Sequence, residues 1–239
     1  VTVPAQPIRA VAFCPAPPLL LPAVEGRPDA ATTAVRRACA QAVSTLLAVR
    51  PDLVVVVGGD PAVGERLGPG DAGDLHGFGV PVEVPFAGPV RPGPRRVPLA
   101  HTVGAWLLDE AGCSSVRVGV GPAELAGLLA GLPGPVAVLA MGEGSARRTV
   151  KAPGYLDPAA AGFDAAVAAA LASGDAGALA ALEAAEGERL MASGVPTWRA
   201  VGAALRGQPV TARLHLDDAP FGVGYLVADW SAPGAGTAP

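Results

Sequence analysis

The stretch Leu53-Val54-Val55-Val56-Val57-Gly58-Gly59-Asp60 decides the fold. Five consecutive apolar residues with no polar alternation read as a strand covered on both faces, as in a parallel sheet. Upstream, Ile8 to Phe13 reads as the first strand, halted by Cys14-Pro15-Ala16-Pro17-Pro18. Between the two, Ala30 to Val49 carries apolar residues at helical spacing, with Asp29 placed to cap it. The result is a β-loop-α-β unit, whose crossover is almost always right-handed.

Working outward, Gly64 to Gly93 is rich in Gly, Pro and Asp and accommodates one short strand at Val80 to Val84. Pro98 to Ala111 reads as a helix with Pro98 in its first turn. Ser115 to Val120 is a strand, Pro122 to Leu132 a short helix, and Val136 to Met141 another buried strand running into Gly142-Glu143-Gly144-Ser145. Pro158 to Leu205 is helical, interrupted near Gly174 and at Gly194-Val195-Pro196. The end returns to β at Thr211 to Leu216 and Gly222 to Trp230, and 231–239 reads as a disordered Gly/Pro/Ala tail. The alternation gives the α/β class: one domain over 1–230 with a mainly parallel central sheet flanked by helices.

Composition narrows the function. Apolar residues make up 51% of the chain and aromatics only 4%, so the core is built mainly from Ala, Val and Leu. The net charge is −4, and Arg36-Arg37, Arg95-Arg96 and Arg147-Arg148 are isolated pairs without the clustering a nucleic-acid backbone demands. Cys14, Cys39 and Cys113 are too few and too scattered for a disulfide framework or a structural zinc. The N-terminal prolines break any signal-like run, and no apolar run approaches a membrane span. A cytoplasmic setting is expected, with no membrane or nucleic-acid partner; a homo-oligomer is compatible with the sequence.

In an open α/β sheet, ligands bind beyond the carboxyl ends of the strands. Cys14–Pro18, Gly58–Pro61 and Gly142–Asp157 leave such ends, and together they would form one cleft. The richest loop carries Glu143, Ser145, Arg147, Arg148, Lys151, Tyr155 and Asp157. Gly144 lets backbone N–H groups approach an anion, and Arg147, Arg148 and Lys151 are suited to clamp a carboxylate or phosphate. The alternative is that Glu143 and Asp157 pair with the arginines to tie a long loop. Gly59 and Asp60 close a buried strand, where Asp60 serves either as a general base or as a turn cap. Cys14 is either a nucleophile or a small buried hydrophobe. His76, His101 and His215 show no metal-ligand spacing, and Asp217-Asp218 is either a ligand pair or part of a turn between two strands.

The order of these loops resembles a known family. A strand, Cys14-Pro15-Ala16-Pro17-Pro18-Leu19-Leu20, a helix, then Val54–Gly59 is similar to the N-terminal half of the catalytic (B) subunit of class III extradiol ring-cleavage dioxygenases, a superfamily that includes Memo-type proteins. Phe163-Asp164, Gly194-Val195-Pro196-Thr197-Trp198 and Gly222–Val227 extend the likeness over roughly 8–230. The loop Met141–Asp157 looks like that of an actinobacterial branch described as similar to the dioxygenase B subunit.

The resemblance implies iron(II) held by two His and a third ligand. Yet the corresponding positions carry Cys14-Pro15-Ala16, Gly58-Gly59-Asp60 and Thr197-Trp198-Arg199, and the catalytic His position falls in Gly142–Ser145. The resemblance therefore implies a metal-independent relative that binds a small anionic metabolite in the old cleft, without cofactor. Arg148 and Lys151 would hold the anion, and Ser145 with Gly144 would orient it. Asp60 or Glu143 would act as base if there is turnover, placing Asp60, Glu143 and Ser145 as catalytic candidates. The ligand-binding candidates are Cys14, Gly59, Gly144, Arg147, Arg148, Lys151, Tyr155 and Asp157. Two other readings stay open: a non-catalytic scaffold, and a dioxygenase with an unconventional site using Asp60, His76 or His215.

Overall fold

Apolar runs without alternation become the centre of the sheet. In the computed structural model, which describes residues 8–59 and 66–233, the elements follow the expected alternation. They run β1 (Ile8–Cys14), α1 (Pro22–Glu25), α2 (Ala30–Ala48), β2 (Leu53–Val57), β3 (Ala72–Asp74), β4 (Glu83–Pro85) and α3 (Leu99–Glu110). Next come β5 (Val116–Val120), α4 (Leu125–Ala130), β6 (Val136–Met141), α5 (Ala160–Ser173), α6 (Ala176–Ala180), α7 (Ala184–Arg189), α8 (Val195–Ala204), β7 (Thr211–Asp218) and β8 (Tyr225–Ser231).

Six strands lie in the order β5-β2-β6-β1-β8-β7. The first four are mutually parallel, β8 is antiparallel to β1, and β7 is antiparallel to β8. The fold is thus a single α/β domain with a mainly parallel sheet flanked by helices. Val54 to Val57 and every residue of β6 are buried, as continuous apolar strands between two helical layers must be.

Each face has its own core. On one, α2 presents Val35, Ala38, Cys39, Ala42, Val43 and Leu46, and its alanines let it sit close to β1 and β8. On the other, Phe13 meets Trp230 edge-on at 4.9 Å, and Trp198 fills the space beneath α8. The Trp230 indole donates to the Leu171 carbonyl at 2.7 Å, satisfying its buried N–H. Entry into α2 is fixed twice. The Asp29 side chain accepts from the Ala31 N–H at 2.7 Å. The Glu25 carboxylate takes Thr32, the Asp29 N–H at 3.0 Å and Arg36 at 2.6 Å.

Some expectations change in detail. The short strand expected at Val80–Val84 forms at Glu83–Pro85 and pairs with Ala72–Asp74, while Val80 and Val82 bond to Leu75 beyond the end of that ladder at 3.2 and 3.0 Å. Pro98 is the cap before α3, not a member of its first turn. The long helical stretch is divided into α5 to α8, the first break at Gly174 in the left-handed region (φ 72°). β8 includes Ser231, and Ala232 donates to the Arg9 carbonyl at 2.9 Å, so the paired edge passes the expected boundary at 230; 234–239 of the tail lie outside the described residues. Among the described residues no helix is long and apolar enough to cross a membrane.

Candidate functional site at the carboxyl edge of the sheet

The strand order puts the carboxyl ends of β2, β6 and β1 side by side, as the sequence implied. The Gly142 N–H donates to the Cys14 carbonyl at 3.0 Å, and a Cβ on Gly58 would stand 2.9 Å from the Met141 carbonyl oxygen. Asp60 lies outside the described residues. Gly59, beside it, is exposed with φ 74°.

Glu143 joins three loops here. Its Oε1 accepts from the Ala16 N–H at 2.8 Å, and its Oε2 accepts from the Ser193 hydroxyl. The Glu143 N–H donates back to the Ser193 Oγ at 3.0 Å, and its carbonyl accepts from the Gly194 N–H at 2.8 Å. Gly142 is required for this approach: a Cβ there would fall 2.3 Å from the Gly194 Cα. Tyr225, buried at the start of β8, has its phenol pushed up to about 12 by burial and then by the charge of Glu143, so it stays protonated.

The remaining loop residues are held from beneath by Asp164, which is fully buried on α5. Its carboxylate accepts from the Ser145 N–H (2.7 Å), the Ser145 hydroxyl (2.7 Å) and the Arg148 guanidinium (3.0 Å). Gly144 and Gly224 pack directly on it, and added Cβ atoms would come within 2.6 and 2.5 Å of its oxygens. Ser145 is itself fully buried, so its hydroxyl is a structural donor and not an accessible catalytic group. Arg148 faces carboxylates: burial raises the Asp217 carboxyl above its ordinary range, Arg148 opposes that, and Asp164 and Asp218 add to it.

Asp157 receives Arg189 and, at 3.8 Å, Arg147, and its Oδ1 accepts from the Ala159 N–H at 2.9 Å. The tie expected of Asp157 therefore forms. The tie expected of Glu143 forms with Ala16 and Ser193 in place of an arginine, because Glu143 points between the strand ends. Lys151 and Tyr155 are exposed, Tyr155 with φ 60°. Cys14 is buried against Cys39 on the α2 side of the sheet; the Cys39 sulfur, burial and Asp229 together raise its thiol well above the ordinary range, which suits a protonated core residue.

A neighbouring concavity did not show in the sequence. Ala184, Gly187, Glu188, Met191, Ala192, Ser193, Val195, Pro196 and Arg199 line a groove of about 440 Å³ between α7 and α8. Its wall is mostly apolar, Ser193 links it to Glu143, and Arg199 supplies a cation while donating to the Leu182 carbonyl. Asp164, Ser193 and Tyr225 are the residues to which sequence reasoning gave no site role, although Phe163-Asp164 and Gly222–Val227 carry part of the family likeness. A buried acid early in an otherwise apolar helix, Phe163-Asp164-Ala165-Ala166-Val167, was the available signal for the first.

The described residues at this edge do not fit iron(II). Among the described residues no group of three or more His, Cys, Asp or Glu is arranged to hold a metal ion. His101 is buried near Gly59 with its Nε2 committed to the Val120 carbonyl at 3.0 Å. His76 pairs with Asp74 at 3.4 Å next to the β3–β4 ribbon, whereas His215 pairs with Asp229 at the far, β7 edge of the large sheet, so the two do not converge. No protein-family model matches the chain, and no curated protein matches it in sequence.

Proposed function

We propose that the chain is a metal-independent relative of the class III extradiol dioxygenases that binds a small anionic metabolite with an apolar body, such as an aromatic or aliphatic carboxylate. The observation that carries this reading is the groove between α7 and α8. Its volume of about 440 Å³ lies inside the usual 300–1,000 Å³ range of small-molecule sites, and so does its mostly apolar lining with a few polar groups. The carboxylate belongs at Arg199, away from Glu188 on the opposite helix. Glu143 and Tyr225 sit behind Ser193 at the strand ends and form the nearest acid–base pair. This moves the expected anion clamp off Arg148, which is turned toward Asp164.

The test is calorimetric titration of octanoate and phenylacetate, with acetate as the control lacking the apolar body, in the presence of a chelator. Ala184→Trp fills the groove from an exposed position and should abolish binding, while Ala185→Trp should not. No saturable heat with either long acid in the unmodified protein would end this assignment.

The scaffold reading draws on a neighbouring feature. Val150, Tyr155, Leu156 and Met191 are large exposed apolar residues, and Tyr155 and Met191 are held at φ 60° and 56°. With Lys151, Arg189, Glu186 and Glu188 around it, this patch carries both signs of charge and suits a second copy of the chain across a two-fold axis. Sedimentation that stays monomeric up to about 100 μM, the range where weak dimers appear, removes that reading.

A further inference from the structure

On the other side of the sheet, remote from the α7–α8 groove, α2 and the edge strand β7 flank a second, shallow concavity. Arg37, Ala40, Gln41, Ser44, Thr45, Arg213 and His215 line about 500 Å³. Its construction separates it from a chance surface dip.

The ladder between β7 and β8 shifts register between Leu214 and Leu216, so His215 is an extra residue with no direct partner on β8. Such a bulge re-aims side chains. Arg213, His215 and Leu216 consequently share the α2 face, and the imidazole reaches Asp229 on β8 through Nε2. The side chains of His215 and Asp229 are 4% and 8% exposed, an ionisable pair placed under the groove floor. With Nε2 bound to Asp229, the second ring nitrogen is left to hydrogen-bond elsewhere.

Above this floor stand two exposed guanidiniums. Among the described residues neither Arg37 nor Arg213 is in an ion pair, in contrast to Arg36 with Glu25 (2.6 Å) and Arg148 with Asp164 (3.0 Å). Arg213 lies opposite Asp229 in register, yet that carboxylate is taken by His215. Gln41 and Ser44 add neutral donors on the helix side. Two planar cationic forks and a hydroxyl, over a floor made by the His215–Asp229 pair, match a tetrahedral oxyanion.

We propose that this groove is a binding site for a tetrahedral dianion, a phosphate or the phosphate group of a small ester. It is independent of the ligand proposed for the α7–α8 groove. The experiment titrates inorganic phosphate and phenyl phosphate into the full chain by calorimetry, against chloride at matched ionic strength. The unmodified protein should bind saturably, and Arg37→Gln/Arg213→Gln, altered only at exposed positions, should bind at least tenfold more weakly. The double variant should keep its unfolding midpoint in chloride and its response to octanoate. Tighter binding of phenyl phosphate than of phosphate assigns the site to esters, and equal binding assigns it to the free ion. No saturable heat with either anion, or an unchanged affinity in the double variant, overturns the proposal.

Discussion

Replacing Asp164 with Ala tests whether the polar loop after β6 is held from below. Three donors lose their acceptor: the Ser145 N–H, the Ser145 hydroxyl and the Arg148 guanidinium. Ser145 is fully buried, so both of its groups are left without water or partner. Each costs about 1–3 kcal/mol when orphaned. Arg148, with a quarter of its side chain exposed, turns to solvent and adds little. The sum, about 2–6 kcal/mol, brackets the usual loss of about 3–5 kcal/mol when one member of a buried ion pair is removed. For a chain of this size each kcal/mol moves the midpoint by roughly 2–4 °C, so a fall of about 10 °C is expected. Asp164→Asn keeps the volume and one acceptor, and should lose about half as much, while Ser145→Ala should lose about 1 kcal/mol. Urea unfolding followed by circular dichroism measures all three. A loss below about 1 kcal/mol for Asp164→Ala, the level of a surface substitution, would refute the assignment of Ser145 and Arg148 to structural roles.

Other consequences are equally open to measurement. Burial lowers the His101 pKa from 6.5 to about 4, so the imidazole is neutral in the fold. Because protonation then favours the unfolded chain, its contribution is complete above pH 6.5 and is lost as pH falls toward 4, by about 3 kcal/mol in all. His101→Gln, able to reach the Val120 carbonyl, should flatten the stability profile across that window; an unchanged slope would place the pH dependence elsewhere. Gly154→Ala would set a Cβ 2.6 Å from the Met191 sulfur and 2.7 Å from the Arg147 Cγ, and should destabilise by about 1–3 kcal/mol. Gly162→Ala, in an open helical position, should stabilise by about 0.5–1 kcal/mol, and equal effects at the two sites would contradict the packing described. Cys113, half-exposed, should react with a thiol reagent well before the buried Cys14 and Cys39, and mass mapping of the first adduct decides it.

The sheet was legible because its central strands are so apolar that no other element fits them. Leu53–Val57 and Val136–Met141 formed with the bounds expected, and Asp29 caps α2. Less was legible where backbone and tertiary contacts compete. Val80-Pro81-Val82 has strand composition but folds around Leu75, and the ribbon formed farther on. The candidate loop announced its chemistry but not its partners. Ser145 and Arg148 are bound by Asp164, sixteen or more residues away on a helix that reads as plain alanine-rich core. The α7–α8 groove arises from the shape of two short helices joined by Leu190–Gly194, which no residue spacing encodes.

The chain has two methionines, and they occupy opposite environments: Met141 is buried at the end of β6, and Met191 is exposed on the groove wall. The most direct measurement is therefore a methyl NMR titration of methionine-labelled protein with octanoate, with a chelator present throughout. The account predicts a saturable shift of the Met191 signal, with Met141 still and no need for added metal. Two silent methyls, or a response that appears only after iron(II) is supplied, would contradict it.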